Sequence, residues 1–419
     1  MGLLARIFGR EKRASLPPRD PRLADWFGGA NTSAGLRVSV KTAMQCPAVY
    51  APIRLLAGTI SIMPAELFRR LPEGGQDRAD GLPLYDLVNA RPNAWMTSAQ
   101  FRRTLTEWML GYGNAYARVV NPGAPTSLDP LHPQRVMPFR DSQNRVWYRV
   151  TPRQGPVATL ASDEILHLRY GQIKDDMAEV EAESVIELHR ETIGLAMAAT
   201  EYLGRFFSNY AVPKGAIEVP GVLDDKAAKM LRESWERRHA GLENAHRLAI
   251  LDGGMKFHEI GMTNKDAEFL GLYRHISSEI ASKLFGIAPH LVGDTEKQTS
   301  YGTGVEQQNL ALIAYTVGPI VQEWEEALNV TLLTDRTRRR YFFDFSEDGL
   351  LRGDFKSRMD GLQIAVQWGI MTPNEARTKL NLPRIDNGDS RLHPLNMVPA
   401  ERVMDVLLKG AAAPADQNA

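Results

Sequence analysis

The fold is decided by residues 263–328, which read TNKDAEFLGLYRHISSEIASKLFGIAPHLVGDTEKQTSYGTGVEQQNLALIAYTVGPIVQEWEEAL. From Phe269 to Ile280 apolar residues recur at three- and four-residue steps, a spacing that predicts one buried face of an amphipathic helix. Gly286 and Pro289 predict the end of this helix, because glycine adopts the left-handed cap conformation and proline cannot continue the hydrogen-bond ladder. The first third of the stretch is therefore predicted to be a helix that ends before a polar loop.

The remainder of the stretch predicts an exposed loop and a second, interrupted helix. Residues 293–304 show no apolar period, so their backbone is expected at a surface or in a lumen. Apolar residues then recur at helical spacing from Leu310 to Leu328. Pro319 lies inside this helix, lacks a backbone donor and clashes with the preceding turn, which predicts a kink near Gly318. Two helices that hold out a polar loop are more typical of the lumen of a ring than of a catalytic pocket.

Composition restricts the classes of function. The chain has 419 residues, and this length predicts two or more packed modules. Its 50 basic and 50 acidic residues cancel, which argues against tight general binding of nucleic acid through phosphate neutralisation. The single cysteine, Cys46, excludes an internal disulfide and is predicted to be a small buried residue. No apolar run approaches the ~20 residues that span a bilayer, so no membrane partner is expected.

The rest of the chain predicts an α+β fold. A helical period runs to Ile62 and leads into a strand at Ala65–Arg70. Thr97 and Gln100 have the spacing of a capping box that begins the next helix. Short strands and proline turns follow as far as residue 168, and a long helix is predicted from Ser184 to residue 209. A small α/β insertion precedes residue 263, and a second capping box opens at Thr372.

Candidate chemistry is sparse. His239, Glu243 and His246 would share a helical face, as metal ligands do, but Gly241 weakens that helix and no His-Glu-x-x-His motif is present, so a solvated polar face is the better interpretation. The acidic run 175–183 has the carboxylates that Mg²⁺ prefers, and it also suits a charged loop before a helix N-terminus. No phosphate loop, dinucleotide fingerprint or nucleophile elbow is present, so we predict no enzyme and no cofactor. The basic run 336–340 could contact nucleic acid, but protection of a strand edge or pairing between subunits is the better interpretation.

Several short blocks of sequence, taken together and in their order along the chain, resemble the portal proteins of tailed bacteriophages. The resemblance is to the form found in long-tailed phages. Each block alone is weak, and their shared order from about residue 38 to residue 382 makes the resemblance specific. The family also occurs in prophages and gene-transfer particles. The blocks are residues 45–57, 63–64, 91–101, 113–116, 131–136, 165–168, 206–209, 263–328 and 369–377.

This resemblance implies a ring oligomer, usually of about twelve subunits, and a portal fold divided along the chain. The implied parts are a basic flexible N-terminal arm (1–37), an α/β wing (38–183), a two-helix stem (184–211 and 263–287), an α/β clip (212–262), a tunnel loop (288–304), a kinked wing helix with a strand (305–350), a helical crown (351–400) and a disordered tail (401–419).

The resemblance also implies function and partners. The ring would lie at one capsid vertex of the virion, assembled in the host cytoplasm, and double-stranded DNA would pass through it during packaging and exit. Its partners would be further copies of itself, the terminase large subunit, the major capsid protein and head–tail adaptor proteins, and it would itself perform no chemistry. An alternative from another class is a metal-dependent phosphotransferase using Asp175, Asp176 and His189, and a third is a non-phage oligomeric scaffold.

Three groups of site residues are carried over by the resemblance. The tunnel loop would face DNA with Lys297 as the only basic residue between Gly293 and Gly304. The predicted loop residues are His290, Asp294, Glu296, Lys297, Gln298, Thr299 and Tyr301. The predicted stem interface comprises Leu195, Tyr202, Phe206, Phe269, Ile276 and Ile280. The predicted partner-binding residues of the clip are Trp235, Arg237 and Arg238.

Overall fold

The computed structural model describes residues 30–173, 180–208, 215–221, 224–239, 254–259, 264–294, 308–346, 355–380 and 382–391. The chain forms two compact units, one ending at Phe345 and the other beginning at Ser346. The first unit mixes helices with small antiparallel sheets, and this confirms the predicted α+β class. The first unit ends at Phe345, five residues before residue 350, where the sequence predicts the boundary between the kinked helix with its strand and the crown.

The first unit opens with strands β1 and β2 and then alternates helices with strands. The N-terminal half contains β1 Ala30–Asn31, β2 Arg37–Val38, α1 Val40–Ala43, α2 Pro47–Ile62, β3 Ala65–Arg70, β4 Gln76–Arg78, α3 Pro83–Asn89, α4 Ser98–Tyr112, β5 Asn114–Val120, β6 Ser127–Leu131, β7 Val136–Arg140, β8 Val146–Val150, β9 Ala158–Ala161 and β10 Ile165–Arg169. The later part contains α5 Val185–Leu188, α6 Arg190–Ser208, β11 Gly215–Glu218, α7 Asp225–His239, β12 Lys256–Glu259, α8 Asn264–Glu279, α9 Gly318–Leu332, α10 Asp335–Arg338 and β13 Tyr341–Phe345.

Three antiparallel sheets of three strands organise the first unit, in the orders β13-β3-β4, β10-β5-β6 and β7-β8-β9. Helices α2 and α4 pack against each other, and their facing side chains, such as Leu56 and Leu105, are fully buried. Cys46 is buried beside the start of α2, as predicted. Burial of this apolar surface is the main stabilising contribution to the first unit.

Helix α9 joins distant parts of the chain. Trp324 is almost completely buried, and its indole N–H donates to Thr106 Oγ1 on α4 over 3.2 Å. Its ring also lies edge-on to Phe101 and beside Phe345 of β13. Because β13 pairs with β3 near the beginning of the unit, the end of the unit closes onto its start. This closure fixes the position from which the segment before α9 emerges.

Local signals in the sequence place most boundaries correctly. Thr97 and Gln100 form the predicted capping box, and so do Thr372 and Glu375. Asp224 caps α7 by accepting a hydrogen bond from the backbone N–H of Ala227. Each of these side chains satisfies N–H groups that an isolated helix end leaves unpaired.

Two predictions near the first stem helix are corrected. The helix expected from Ser184 is broken at His189, whose backbone leaves the helical region, so that α5 and α6 are separate. Residues 30–37, predicted to belong to the flexible arm, form the β1–β2 hairpin. Its turn is held to α6 because Ser33 donates to the Glu191 carboxylate through both its N–H and its hydroxyl. Residues 1–29 of the predicted arm lie outside the described residues.

The insertion between α6 and α8 contains a two-stranded antiparallel sheet, β11 with β12, and helix α7. This matches the α/β content predicted for residues 212–262, although the strand predicted at 248–251 lies outside the described residues. In the second unit, helix α11 spans Phe355–Gln367 and helix α12 spans Pro373–Lys379. Asn374 connects α12 to the following loop through the backbone of Ile385 and the side chain of Asp389.

Candidate functional site

The candidate site is the unit formed by α8, the polar loop and the helical residues that lead into α9. Helix α8 does not end at Glu279 but continues as a π-helical turn over Ile280–Leu284. The polypeptide reverses at Gly286, which has a φ of +65°, and a 3₁₀ turn over Pro289–Val292 follows. The sequence predicted the glycine stop correctly and did not predict the π turn.

The start of the loop is attached to α8. The hydroxyl of Ser278 donates to the carboxylate of Asp294, and the backbone N–H of Asp294 donates to the carbonyl of Pro289 over 3.0 Å. One turn along the helix, Lys283 pairs with Glu279, and this hydrogen bond lowers the pKa of the Glu279 carboxyl. Asp294 therefore anchors the base of the loop to the helix, which fixes where the loop begins.

A polar cavity of about 500 Å³ opens beside this attachment. Arg274 and His275 line it from the helix, and His290 and Gln308 line it from the two ends of the loop. The Nε2 atom of His290 is buried and has no hydrogen-bond partner in the described part of the chain. The cavity thus carries mixed charge and polarity rather than the apolar walls of a small-molecule pocket.

The second flank of the loop also contains a π-helical turn. It spans Ile313–Val317 and lies immediately before Gly318 and Pro319, the place where the sequence predicts a kink. The N–H of Gly318 donates to the carbonyl of Ile313, five residues back. A wider turn accommodates the proline ring and its missing donor, so the interruption takes the form of a π turn.

The two π turns are connected directly. Thr316 Oγ1 donates to the carbonyl oxygen of Gly286 over 2.7 Å. A Cβ atom on Gly286 would lie 2.9 Å from Thr316 Oγ1, so this close contact requires glycine at position 286. The contact joins residues on either side of the loop, and it fixes the separation of the two flanks. We name this contact, Thr316 to Gly286, the flank clasp.

Apolar surface is exposed next to these elements. On α6 the side chains of Leu195 and Tyr202 are 46% and 50% exposed, whereas Ile193 and Ala196 of the same helix are buried. Tyr315, within the second π turn, is 81% exposed. Large apolar side chains that remain exposed and close in sequence to a structured site are typical of surfaces that contact another molecule.

The predicted stem residues divide into two sets. Ile276 and Ile280 are buried within the protomer, where α8 and its π turn pack against α2 and α6, so they are not available to a neighbouring subunit. This corrects the prediction that they belong to an interface, and its physical reason is that helix α8 packs these side chains against α2 and α6 of its own subunit. Leu195 and Tyr202 remain accessible. The side chains of Phe206 and Phe269 lie outside the described residues.

Most of the other predicted site residues also lie outside the described residues. These are Glu296, Lys297, Gln298, Thr299 and Tyr301 of the loop, together with the side chains of Trp235, Arg237 and Arg238 in α7. The described residues also exclude the side chain of His239 and the whole of Glu243, His246, Asp175 and Asp176. Their predicted roles stay predictions. His189 is described and exposed.

No alternative chemical centre is formed by the described residues. Within them, no group of three or more His, Cys, Asp and Glu side chains could hold a metal ion, and no helix is both long and apolar enough to cross a membrane. In the basic run, Arg338 donates to the carbonyls of Asn329, Val330 and Leu333 at the end of α9. Strand β13, which follows this basic run, lies at the edge of its sheet. The interpretation that the basic run protects a strand edge requires this position.

Sequence reasoning missed the flank clasp and both π turns. The usable signals were Gly286, at the end of the first helical period, and Gly318 with Pro319, inside the second. An apolar period of three or four residues does not distinguish a π turn from an α turn over so short a length. The contact of Thr316 with Gly286 joins residues 30 positions apart, which local patterns do not report.

Comparisons with known proteins agree with one another. The model of the family described as phage portal protein matches residues 47–381. The chain is similar to the probable portal protein of Streptomyces phage phiC31, with 30% identity over 95% of this chain and 89% of that protein. It is also similar to the portal protein of Enterobacteria phage HK97, with 31% identity over 85% of this chain and 83% of that protein.

Solved structures show the same fold. A chain from the virion of a native gene transfer agent particle superposes with a TM-score of 0.60 at 23% identity, covering 87% of this chain and 99% of that one. A chain from the neck of the native particle, computed with C12 symmetry, gives a TM-score of 0.57 at 22% identity over the same shares of the two chains.

Proposed function

Since this chain belongs to the phage portal protein family and is a portal subunit of a capsid vertex, we propose that twelve copies form a ring whose channel passes double-stranded DNA. The ring would admit DNA during packaging and release it on exit. The terminase large subunit would dock on the ring, the major capsid protein would surround it, and head–tail adaptor proteins would complete it. Assembly would take place in the host cytoplasm.

One observation supports this proposal best: the loop between the two π turns is held at both of its ends. Asp294 binds Ser278 at the first end, and the flank clasp fixes the second end relative to the first. A loop fixed at its base and repeated around a ring would present the same residues toward the axis in every subunit. This suits a channel lining.

The charge of the loop suits a channel through which DNA slides. Tight phosphate contacts would become barriers to movement, and the net charge of the chain is zero. Lys297, next to Glu296 and near Asp294, would give one modest positive girdle around the ring. The protein would position DNA and perform no chemistry of its own, while the terminase would supply the energy.

Lys297→Ala tests the proposed channel lining. We expect the ring to assemble normally, because Lys297 belongs to a polar segment with no apolar period, and we expect packaging or retention of DNA to change. The measurement is the amount of DNA protected in heads assembled with each variant. Lys256→Ala, in strand β12 of the insertion, is the matched control. Unchanged packaging and retention in Lys297→Ala would contradict the role of this residue.

The phosphotransferase alternative makes a different prediction. It requires Asp176 to hold a metal ion with Asp175 and His189, and Asp176→Ala would then abolish turnover of a nucleotide. Under the portal proposal the purified protein is inert with nucleotides, and Asp176→Ala leaves ring formation unchanged. A non-phage scaffold would form rings without affinity for a terminase large subunit. A binding measurement with that subunit therefore distinguishes a scaffold from a portal protein.

A further inference from the structure

A cavity of about 540 Å³ on the first unit has a wall of aromatic rings. Trp108 and Tyr112 lie one turn apart on α4, and each packs edge-on against His132, with ring centroids 5.1 and 5.3 Å apart. Burial lowers the pKa of His132, and two nearby arginines lower it further, so burial and charge both favour the neutral ring. Aromatic rings in this arrangement favour a further aromatic side chain as their neighbour.

One carboxylate in the wall lacks a donor. Glu107 lines the cavity and is half-buried, and burial raises the pKa of its carboxyl. Within the described residues its carboxylate accepts no hydrogen bond, and its charged neighbour is Arg103 on the preceding turn. A partly buried acceptor gains free energy from a donor, so an occupant with an N–H group would fit better than a purely apolar one.

The N-terminal arm leaves the described structure beside this cavity. Ala30 of β1 pairs with Val38 of β2 in antiparallel register, and Ser39 and Val40, which follow β2, line the cavity. Because the strands are antiparallel, the chain before Ala30 and the chain after Val38 leave the hairpin at the same end. The Cα atoms of Ala30 and Ser39 are therefore within about 10 Å of each other.

We propose that Trp26 of the same subunit occupies this cavity, with its ring against Trp108 and Tyr112 and its indole N–H donating to Glu107. Trp26 lies four residues before Ala30, and four extended residues reach about 14 Å. Tryptophan offers the large ring and the single donor that the cavity requires. This docking is independent of the portal function.

The charge of the cavity selects against other residues of the arm. Lys41 lines the rim, and Arg135 and Arg153 act on His132 from nearby. These cations repel the arginines that make the arm basic, such as Arg19 and Arg22. Phe27 is aromatic but has no donor for Glu107. Trp26 is thus the residue of the arm that satisfies both the rings and the carboxylate.

Limited trypsin digestion of the full-length chain tests the docking. We expect cleavage after Arg22 to be slow in the native chain, and Trp26→Ala to accelerate it about fivefold or more. Phe27→Ala is the matched control and should leave the rate nearly unchanged. Equal rates for the native chain and Trp26→Ala would overturn the proposal, and so would acceleration in Phe27→Ala alone.

A disulfide measurement identifies which chain donates the arm. In Asp25→Cys/Gln134→Cys the second cysteine lies on the exposed rim of the cavity, and we expect an intrachain disulfide. Adding Trp26→Ala should reduce its yield, and the control pair Asp25→Cys/Glu73→Cys should not form it, since Glu73 does not line the cavity. Native Cys46 is buried and does not compete. An interchain disulfide, or none, would overturn the assignment of Trp26 to its own subunit.

Discussion

Gly286 is the residue on which the reversal between the two flanks depends. Its φ of +65° and the closeness of Thr316 leave no room for a Cβ atom. We expect Gly286→Ala to lower the free energy of unfolding by about 1–3 kcal/mol, because a non-glycine residue is strained in this conformation. Urea unfolding measures the change.

The control for this prediction is Gly271→Ala. Gly271 lies inside α8, and a Cβ atom added there would meet no atom within 4 Å. Alanine is a better helix former than glycine, so this change should raise stability by up to about 1 kcal/mol. A loss of stability in both variants would show that added volume in this region, and not the backbone of Gly286, is responsible.

His167 is a half-buried residue that makes stability depend on pH. Its ring stacks on Tyr116 with centroids 4.4 Å apart, and its nitrogens bond the hydroxyl of Tyr148 and the Oδ1 atom of Asn114. Burial, with a smaller effect of Arg169, lowers the pKa of His167 to about 3. Because the pKa in the unfolded chain is higher, the unfolded state binds more protons between these values, and stability falls as the pH decreases below about 6.5.

This pH dependence is testable by substitution. We expect the native chain to lose at most about 2 kcal/mol through His167 between pH 7 and pH 5. His167→Gln should be less stable at pH 7 and should show a flatter pH dependence in urea unfolding. An unchanged slope in His167→Gln would contradict the assignment.

Among the helices, α6 has two faces with different roles. Ile193 and Ala196 face the protomer, whereas Leu195 and Tyr202 face away from it. We expect Leu195→Asp and Tyr202→Asp to prevent ring formation, because a charge placed in an apolar interface is costly, and to leave the protomer folded. Size-exclusion chromatography and unfolding curves measure the two effects.

Conservative variants at the same positions are the controls for the α6 face. Leu195→Met and Tyr202→Phe keep the apolar area, so rings should still form. If the acidic variants assembled as well as the conservative ones, the exposed face of α6 would not be a subunit contact. In that case Tyr315, in the second π turn, would be the next side chain to test.

Elements whose signals are local could be predicted from the sequence. The capping box at Thr97, the cap at Asp224 and the stop at Gly286 each depend on side chains within a few residues. The break at His189 could not be predicted, because the adjoining helix is held by residues of the distant β1–β2 hairpin. The orientation of Ile276 also required the structure, since an apolar stripe does not reveal whether the same chain or a neighbour covers it.

At the scale of the whole molecule, the protomer has a well-buried apolar core, and it also leaves several large apolar side chains exposed on its surface. The first unit closes on itself through Trp324, and the flank clasp fixes the two described segments on either side of residues 295–307 relative to each other. The family, the fold and the exposed apolar side chains of α6 all agree with assembly into a ring. The loop would then act only in the assembled state.

Native mass spectrometry of the purified protein, paired with negative-stain images, tests whether the chain forms a portal ring. We expect an assembly of twelve 46.7 kDa chains, about 560 kDa, with an axial hole. Leu195→Asp should shift the same sample to the single chain. A compact dimer with a closed cleft, with no larger ring at any protein concentration, would contradict the portal assignment.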